Sequence, residues 1–149
     1  MEVKPIGIIR APIESVEEER WGDVISEIHV DETYAAGLQG IESWSHVMVV
    51  YYMHQAPFDL ERDLVRRPRD RADMPEVGIF ARRSPNRPNG IGVTAVEVVK
   101  VEGNILTVRR LDAIDGTPVL DIKPYAPIYD AVSEPLIPIW FIRLMQDYY

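Results

Sequence analysis

The sequence contains no cysteine, which excludes disulfides, thiolate metal sites and cysteine nucleophiles. No apolar run approaches the roughly 20 residues that a membrane-spanning helix needs, and we expect no association with a membrane. The first residues, MEVKPIGIIRAP, lack the basic start, the long apolar stretch and the small-residue cleavage site of a signal peptide. These absences favour a cytoplasmic protein.

Familiar catalytic sequences are missing as well. The chain has no Walker A sequence, no G-x-G-x-x-G turn after a strand and no G-x-S-x-G elbow. Its histidines, His29, His46 and His54, do not have the spacing of a metal site, and we predict that no metal is bound. Ser45 and Ser84 have no evident base partner in the sequence, so serine catalysis is unsupported.

Positive charge is scarce except in one segment. The 149 residues carry a formal net charge of −8 at pH 7, which argues against an indiscriminate nucleic-acid binder. Residues 62–87 nevertheless hold 8 basic and 4 acidic side chains, against 3 and 12 in residues 1–61 and 5 and 8 in residues 88–149. An acidic body with one basic segment predicts a localised anionic partner.

The basic segment runs into the stretch Gly78–Gly92, GIFARRSPNRPNGIG, around which we expect the site to be organised. Two prolines restrict the backbone of this loop, and Asn89-Gly90 is a turn dipeptide that accepts positive φ. So stiff a loop can hold guanidinium groups ready for a carboxylate or a phosphate; they belong to Arg82, Arg83 and Arg87. A proline-rich hairpin with solvated arginines is the alternative.

Short strands joined by Gly, Pro and Asn turns, with little helix, predict one mainly β domain over residues 1–149, a barrel or a sandwich. Apolar or alternating segments mark the strands: Lys4–Arg10, Val24–Val30, Val47–Met53, Gly78–Ala81, Val93–Val101, Ile105–Leu111 and Pro118–Lys123. Short helices are expected within Asp31–Leu38 and Asp59–Arg67. Residues 131–149 are expected to form a helix or a tail that packs on the barrel or on another copy, and Pro138 allows a helix to start there.

Polar and turn residues recur where the predicted strands begin or end: His54, Gln55, Arg87, Asn89, Asp112, Asp115, Gly116, Thr117, Asp121, Lys123 and Tyr125. Exposed N–H groups around Asp115–Thr117 are expected to bind an adenine edge or a ribose. Asp121 and Lys123 lie two residues apart on a strand and therefore share a face, although a plain ion pair is an alternative. The set suits a small zwitterionic ligand with a purine, in which arginine binds a carboxylate and aspartate binds an ammonium or sulfonium group.

Two long motifs resemble the TrmO (TsaA-like, YaeB-like) family: RSPNRPNGIG at Arg83–Gly92 and LDAIDGTPVLDIKPY at Leu111–Tyr125. Shorter matches are PIGIIRAP at Pro5–Pro12, GLQGIESWSH at Gly37–His46, and His54-Gln55. The family comprises S-adenosylmethionine-dependent methyltransferases that act on tRNA. The resemblance therefore implies N6-methylation of threonylcarbamoyladenosine at position 37, in the anticodon loop. It also implies a small β-barrel with short helices, and a homodimer with S-adenosylmethionine near the subunit interface.

The resemblance also implies roles for residues within the motifs. Cofactor contacts are expected from His54, Gln55, Arg87, Asn89, Leu111, Asp115, Gly116 and Thr117. The N6–H lies between an adenine ring and a carbonyl, so a modest acceptor suffices; our candidate is Asp121, followed by Tyr125. The threonyl carboxylate needs a cation, from Arg82, Arg83 or Lys123, and we expect the tRNA backbone to meet Arg66, Arg67 and Arg69.

The chain departs from the family pattern in three places. Many relatives carry a P-R-Q segment that helps to hold the cofactor, whereas the corresponding stretch here is IESVEEERWGD, Ile13–Asp23. Gly90 stands where proline is common, and there is no room for the C-terminal domain of the longer relatives. These departures keep two alternatives open. The same barrel and methyl donor can serve a small-molecule acceptor, or the chain can be a binding module without catalysis.

Overall fold

Strands with alternating burial dominate the chain, whose computed structural model describes residues 1–15 and 20–149. The strands are β1 (Gly7–Arg10), β2 (Ile25–Val30), β3 (His46–Tyr52), β4 (Val65–Arg66), β5 (Val77–Gly78), β6 (Ile91–Glu102), β7 (Ile105–Arg109) and β8 (Pro118–Pro124). The α-helices are α1 (Leu60–Asp63), α2 (Pro127–Asp130) and α3 (Ile139–Leu144). Short 3₁₀ helices occupy Glu32–Leu38, Ile41–Ser43, Pro68–Asp70 and Ile79–Ala81.

The long strands close into an antiparallel barrel with the order β1-β2-β7-β6-β3-β8. Alternation directs one side of each strand inward; in β2, Ser26, Ile28 and Val30 are buried while their neighbours are more exposed. The core is aliphatic, with Ile9, Val47 and Leu106 fully buried. The predicted β-barrel with short helices is therefore confirmed.

Turn chemistry explains the hairpin between β6 and β7. Gly103 has a φ of 62°, a left-handed conformation that glycine adopts without strain. The strand β3 pairs with both β6 and β8, and its inward residues Val47, Val49 and Tyr51 are buried. A bulge between Val98 and Lys100 bends the longest strand of the barrel.

The connection between β3 and β6 folds into a small unit of its own. The segment Gly78–Ala81, expected to be a strand, is instead the end of the short strand β5 followed by a 3₁₀ turn. β5 pairs only with β4, outside the barrel. Because β5 ends at Gly78 after only 2 residues, the chain can turn back toward the barrel at Ile79, which is buried.

The two ends of the barrel differ in what they carry. We call the loop end the one at which β1, β3 and β7 finish and β2, β6 and β8 begin. The opposite end carries the starts of β1, β3 and β7 and the end of β8 at Pro124. No helix within residues 1–15 and 20–149 is long and apolar enough to cross a membrane.

The C-terminal segment returns to the loop end after leaving β8. The helix α3 begins directly after Pro138, whose N-cap position tolerates proline. Beyond α3, Tyr148 packs against a second small core of Ile13, Trp21 and Ile114. The tail thus lies against the barrel mouth, next to the turn between β1 and β2.

Candidate functional site

The loop end gathers three of the motif segments that the sequence singled out. His54 and Gln55 follow β3, Arg87–Gly90 precede β6, and residues 112–117 join β7 to β8. A hydrogen bond from the Met53 N–H to the Gly90 carbonyl oxygen (2.7 Å) ties the first segment to the second. His54, Gln55 and Asn89 are exposed there, so their side chains are accessible to a ligand.

The arginine loop is stiff partly because its arginines bond to its own carbonyl groups. Nη1 of Arg87 donates to the carbonyl oxygens of Arg82 (2.7 Å) and Ile79 (3.2 Å). Gly90 has a φ of 57°, as expected for the Asn-Gly turn. Nη2 of Arg83 donates to the Val93 carbonyl oxygen (2.6 Å), yet Arg83 remains exposed. Arg83 is therefore the member of the trio with an accessible guanidinium group.

Arg82 has a different position from the one expected. It is only 6% exposed, and its Nη2 donates to the Asp63 carbonyl oxygen. Burial, together with the nearby positive charges of Arg66 and Arg87, lowers the pKa of Arg82. The sequence offered Arg82 as a partner for a substrate carboxylate, but the structure uses it to hold the connection between β3 and β6 against the loop.

Asp63 organises this connection between β3 and β6. Its side chain is fully buried, and its carboxylate accepts from Arg62 Nε (3.0 Å), Arg62 Nη2 (2.7 Å), Arg66 Nη1 (2.8 Å) and the Asp59 N–H (2.9 Å). Hydrogen bonds from Arg62, followed by those from Asp59 and Arg66, lower the pKa of Asp63 despite its burial. The Asp59 N-cap four residues earlier was the available sequence signal.

We predict that Asp63→Asn removes an acid-sensitive part of the protein's stability. The depressed pKa of Asp63 means that its stabilising effect is complete above the unfolded-state value of about 3.9 and is lost as the pH falls toward the lower folded-state value. The free energy of unfolding of the wild type, measured with urea, should therefore fall below about pH 4. The free energy of unfolding of the variant should depend less steeply on pH in this range. Asp130→Asn, on the exposed helix α2, is the control. If both variants lose the same amount of stability as the pH falls below about 4, the assignment to Asp63 is refuted.

The predicted tRNA contacts are also engaged in the fold. Arg66 bridges Asp63 and Asp70, and Arg67 donates from Nη1 to the Met74 carbonyl oxygen. Arg67 and Arg69 are exposed, whereas Arg66 is half-buried. Arg66 is thus held by two carboxylates, and the accessible basic surface consists of its exposed neighbours.

The backbone N–H groups of the turn at 115–117 form hydrogen bonds within the protein. The N–H groups of Asp115, Gly116 and Thr117 donate to the carbonyl oxygens of Ile13 (2.8 Å), Ile9 (2.9 Å) and Ile114 (3.3 Å). The expectation that these groups are free to bind adenine or ribose is therefore wrong. The Asp115 carboxylate accepts from the Ala11 N–H (3.0 Å), and Thr117 and Leu111 are buried; these residues fix the shape of the loop.

Asp121, Lys123 and Tyr125 lie away from the loop end. The register of β8 with β3 places Asp121 and Lys123 on the outer face of the barrel, where Nζ of Lys123 is 2.6 Å from Asp121. Tyr125 contacts the ring of His46 at the opposite end, with centroids 6.5 Å apart. The 7 residues of β8 lie between Thr117 and Tyr125, and at the usual rise per residue an extended chain places these two residues about 26 Å apart. The ion pair that the sequence left as an alternative is the observed arrangement.

A cleft of about 640 Å³ opens at the loop end between the turn that follows β1 and the C-terminal tail. Its lining includes the charged side chains of Arg20, Asp23 and Asp147 and the ring of Tyr149. Pro12 and Ile13 line the same cleft, and Ile13 accepts the Asp115 N–H, so the cleft borders the 112–117 loop. The sequence gives no sign of this cleft, because its lining joins residues 12–25 to residues 146–149 at the other end of the chain.

Part of the cleft's surroundings falls on the Ile13–Asp23 stretch, where the sequence lacks the P-R-Q segment. Residues 16–19 of that stretch lie outside the described residues. Within residues 1–15 and 20–149, no group of three or more His, Asp or Glu side chains is placed to hold a metal ion.

The structure is thus a closed antiparallel barrel with the motif loops gathered at one end. Residues 9–131 match the family described as the tRNA-methyltransferase O N-terminal domain. The chain belongs to this TrmO N-terminal domain family.

Relatives agree with this membership. An S-adenosyl-L-methionine-binding protein of Archaeoglobus fulgidus is 43% identical over 138 residues, which cover 90% of this chain and 96% of that protein. The mouse tRNA (adenine(37)-N6)-methyltransferase is 43% identical over 94 residues, which cover 63% of this chain and 21% of the mouse protein.

Solved structures share the fold. A crystal structure of TrmO superposes with a TM-score of 0.74 at 32% sequence identity, and one of TrmO from Pseudomonas aeruginosa with a TM-score of 0.74 at 31%. Each match covers 93% of this chain, but this chain spans only 61% and 62% of those chains.

Proposed function

We propose that the chain is an S-adenosylmethionine-dependent methyltransferase that methylates N6 of threonylcarbamoyladenosine at position 37 of tRNA. The observation that carries the proposal is the convergence of the family's motif loops at one barrel end, beside a cleft lined by both cationic and anionic side chains. Family membership and the activities of the relatives support the same donor and the same class of acceptor.

The residues at the loop end fit S-adenosylmethionine chemically. This donor is a zwitterion with a sulfonium centre and a purine, and the cleft volume of about 640 Å³ lies within the range of ligand pockets. Arg20 supplies a cation for the carboxylate, while Asp23 and Asp147 supply anions for the ammonium and sulfonium groups. We propose further contacts from His54, Gln55 and Asn89, and Arg87, Leu111 and Asp115–Thr117 as the residues that shape the loops around the donor.

The bound donor supplies an already activated methyl group, so the chain's task is alignment and exclusion of water. We propose that the accessible Arg83 binds the threonyl carboxylate, because its guanidinium group is exposed at the edge of the arginine loop. A hydrogen-bond acceptor for the N6 proton completes the site; Asp121 remains our first candidate and Tyr125 the second. Because Arg82 is buried, it does not contact the substrate but holds the connection between β3 and β6 in place.

We propose that a homodimer brings these acceptor candidates to the loop end. The outer face of β3, β6 and β8 exposes Tyr52 and Ile91, each 45% accessible and paired across the ladder. The Asp121–Lys123 pair belongs to the same face. A two-fold axis perpendicular to the strands sets the loop end of one copy beside the opposite end of the other. Asp121, Lys123 and Tyr125 of a second copy then complete each site.

The anticodon loop of tRNA is the proposed substrate, and Arg67 and Arg69 are its proposed phosphate contacts because both are exposed on the basic connection. Arg66 contributes by holding this connection in shape, since two carboxylates already bind its guanidinium group. The net charge of −8 restricts binding to this local surface.

The test offers S-adenosylmethionine with three acceptors: tRNA bearing threonylcarbamoyladenosine, the same tRNA with unmodified adenosine, and the free modified nucleoside. We expect one methyl group on the modified tRNA, little on the free nucleoside and none on the unmodified tRNA, measured by mass spectrometry of the digested nucleosides. Methylation of the free nucleoside at the same rate as the tRNA would contradict the tRNA assignment and favour a small-molecule acceptor. Donor binding without any transfer would favour a binding module.

A further inference from the structure

The C-terminal residues 146–149 lie outside the family match, which ends at residue 131, yet they are built into the loop end. The Tyr148 carbonyl oxygen accepts the Trp21 N–H (3.1 Å). The Tyr148 ring packs in the small core with Trp21, Ile13 and Ile114. The tail is therefore anchored by backbone and side chain together, on the turn that follows β1.

One carboxylate fixes the tail to the barrel wall. Asp112 accepts the Tyr148 hydroxyl at Oδ2 (2.7 Å), and at Oδ1 it accepts the hydroxyl of Tyr51 (3.0 Å) and that of Thr94. Tyr51 belongs to β3 and Thr94 to β6, so this carboxylate joins two barrel strands to the tail. Burial, and after it the charge of Asp112, raises the pKa of Tyr148, which therefore stays a hydrogen-bond donor at physiological pH.

The last residue is held just as closely. The Arg110 guanidinium carbon lies 4.3 Å from the centroid of the Tyr149 ring, a cation–π distance. A Cβ atom at Gly22 would lie 2.9 Å from the backbone carbonyl carbon of Tyr149. The close approach of these two segments of the chain therefore requires glycine at position 22. Gln146, Asp147 and Tyr149 of this tail line the cleft of about 640 Å³ together with Arg20 and Asp23.

We propose that residues 146–149 form a wall of the S-adenosylmethionine cleft, with Asp147 as an anionic contact for the cationic part of the donor and Asp112 as the residue that positions the wall. The proposal rests on the proposed function for the identity of the ligand. Asp147 is exposed and lines the cleft, and Asp23, which lines the same cleft, adds a second negative charge. Both carboxylates favour an ammonium or sulfonium group in the cleft. Asp112 acts at a distance from the ligand, through the Tyr148 hydroxyl.

The test measures binding by isothermal titration to the full chain with two ligands, S-adenosylmethionine and 5′-methylthioadenosine, which lacks the sulfonium charge and the amino-acid group. Asp147→Asn should weaken S-adenosylmethionine about tenfold, the effect of losing one charge-assisted contact, and leave 5′-methylthioadenosine unchanged. Glu134→Gln, which makes the same change of charge at an exposed position outside the cleft, should affect neither ligand.

Tyr148→Phe tests the positioning role. Removing the hydroxyl should weaken both ligands by a similar factor, because the whole wall loses its fixed position, and should speed amide hydrogen exchange in residues 146–149. Tyr129→Phe, at an exposed tyrosine on α2, should change neither property, and thermal unfolding of each variant reports whether the barrel is intact.

The outcomes separate the two proposals. If the wild type binds S-adenosylmethionine and both Asp147→Asn and Tyr148→Phe bind it equally well, then the tail is not part of the site and only this inference is overturned. If the wild type binds no S-adenosylmethionine, the proposed function fails, and the ligand assigned to the cleft fails with it. Equal weakening of both ligands by Asp147→Asn would overturn its role as a charge partner.

Discussion

Gly92→Ala is expected to destabilise the barrel by about 3 kcal/mol, the sum of overpacking and of a disturbed buried hydrogen bond. A Cβ atom at this position would lie 2.4 Å from two ring carbons of Tyr51, which pairs directly with Gly92 across β3 and β6. The ring is buried, and its hydroxyl is held by Asp112 and Thr94. The ring has to leave this position to accommodate the methyl group, so packing and hydrogen bonding are lost together.

The matched control is Gly37→Ala. No atom lies within 4 Å of a Cβ built at Gly37, and its φ is not positive. Alanine there should be neutral or should stabilise by about 0.4–1 kcal/mol through the unfolded state. Urea unfolding of the two variants measures the difference, and equal midpoints would show that Tyr51 is not packed on Gly92 as described.

The second large effect is the recovery of activity on mixing two inactive variants. Arg87→Ala damages the loop end, because it removes the side chain that closes the turn onto the Ile79 and Arg82 carbonyl oxygens. Asp121→Asn damages the outer face, where the proposed acceptor lies. If a second copy completes each site, a mixed dimer contains one site with both changes and one site with neither. Random exchange then restores about a quarter of the wild-type sites.

Each variant alone should remain inactive in the tRNA methylation assay, and native mass spectrometry of the mixture should show mixed dimers. Mixed dimers without any recovery would contradict the composite site and would leave Asp121 as one half of a surface ion pair. Lys100→Gln, which breaks a different surface ion pair, with Glu102, provides the control for nonspecific effects of losing such a pair.

Period-two patterning made the barrel predictable from the sequence. The alternation of Val24–Val30 and the apolar run Val47–Met53 correspond to β2 and β3 within a residue or two of their ends. The predicted strands Val93–Val101 and Ile105–Leu111 correspond to β6 and β7, which form a hairpin across Gly103-Asn104. Local backbone chemistry also predicted the Asn89-Gly90 turn, because its requirement for positive φ depends on the residues at the turn itself.

The partners of charged side chains were not predictable in the same way. Whether Arg82 meets a substrate or the Asp63 carbonyl oxygen depends on how the β3–β6 connection folds back, and nothing local to Arg82 specifies that path. The N–H groups of Asp115 and Gly116 donate to the carbonyl oxygens of Ile13 and Ile9, more than 100 residues earlier in the chain. The distance of Asp121 and Tyr125 from the 115–117 turn was not visible in the motif either, because residues that are close in sequence lie far apart along an extended strand.

The tail illustrates the same limit. Its aromatic composition predicted packing of some kind, but Tyr148 meets Asp112 only because the chain returns to the loop end after α3. Asp112 itself belonged to the set of strand-end polar residues, and the convergence of three hydroxyls on it became visible only with the barrel closed.

Titration of S-adenosylmethionine into the wild-type chain tests the central claim most directly, with adenosine triphosphate as the decoy and Arg87→Ala as the loop variant. We predict saturable binding by the wild type, no competition from adenosine triphosphate, and clear weakening in the variant, since the loop end is then no longer held in shape. Absence of binding by the wild type, or equal competition by adenosine triphosphate, would contradict the assignment of the loop end as the methyl-donor site.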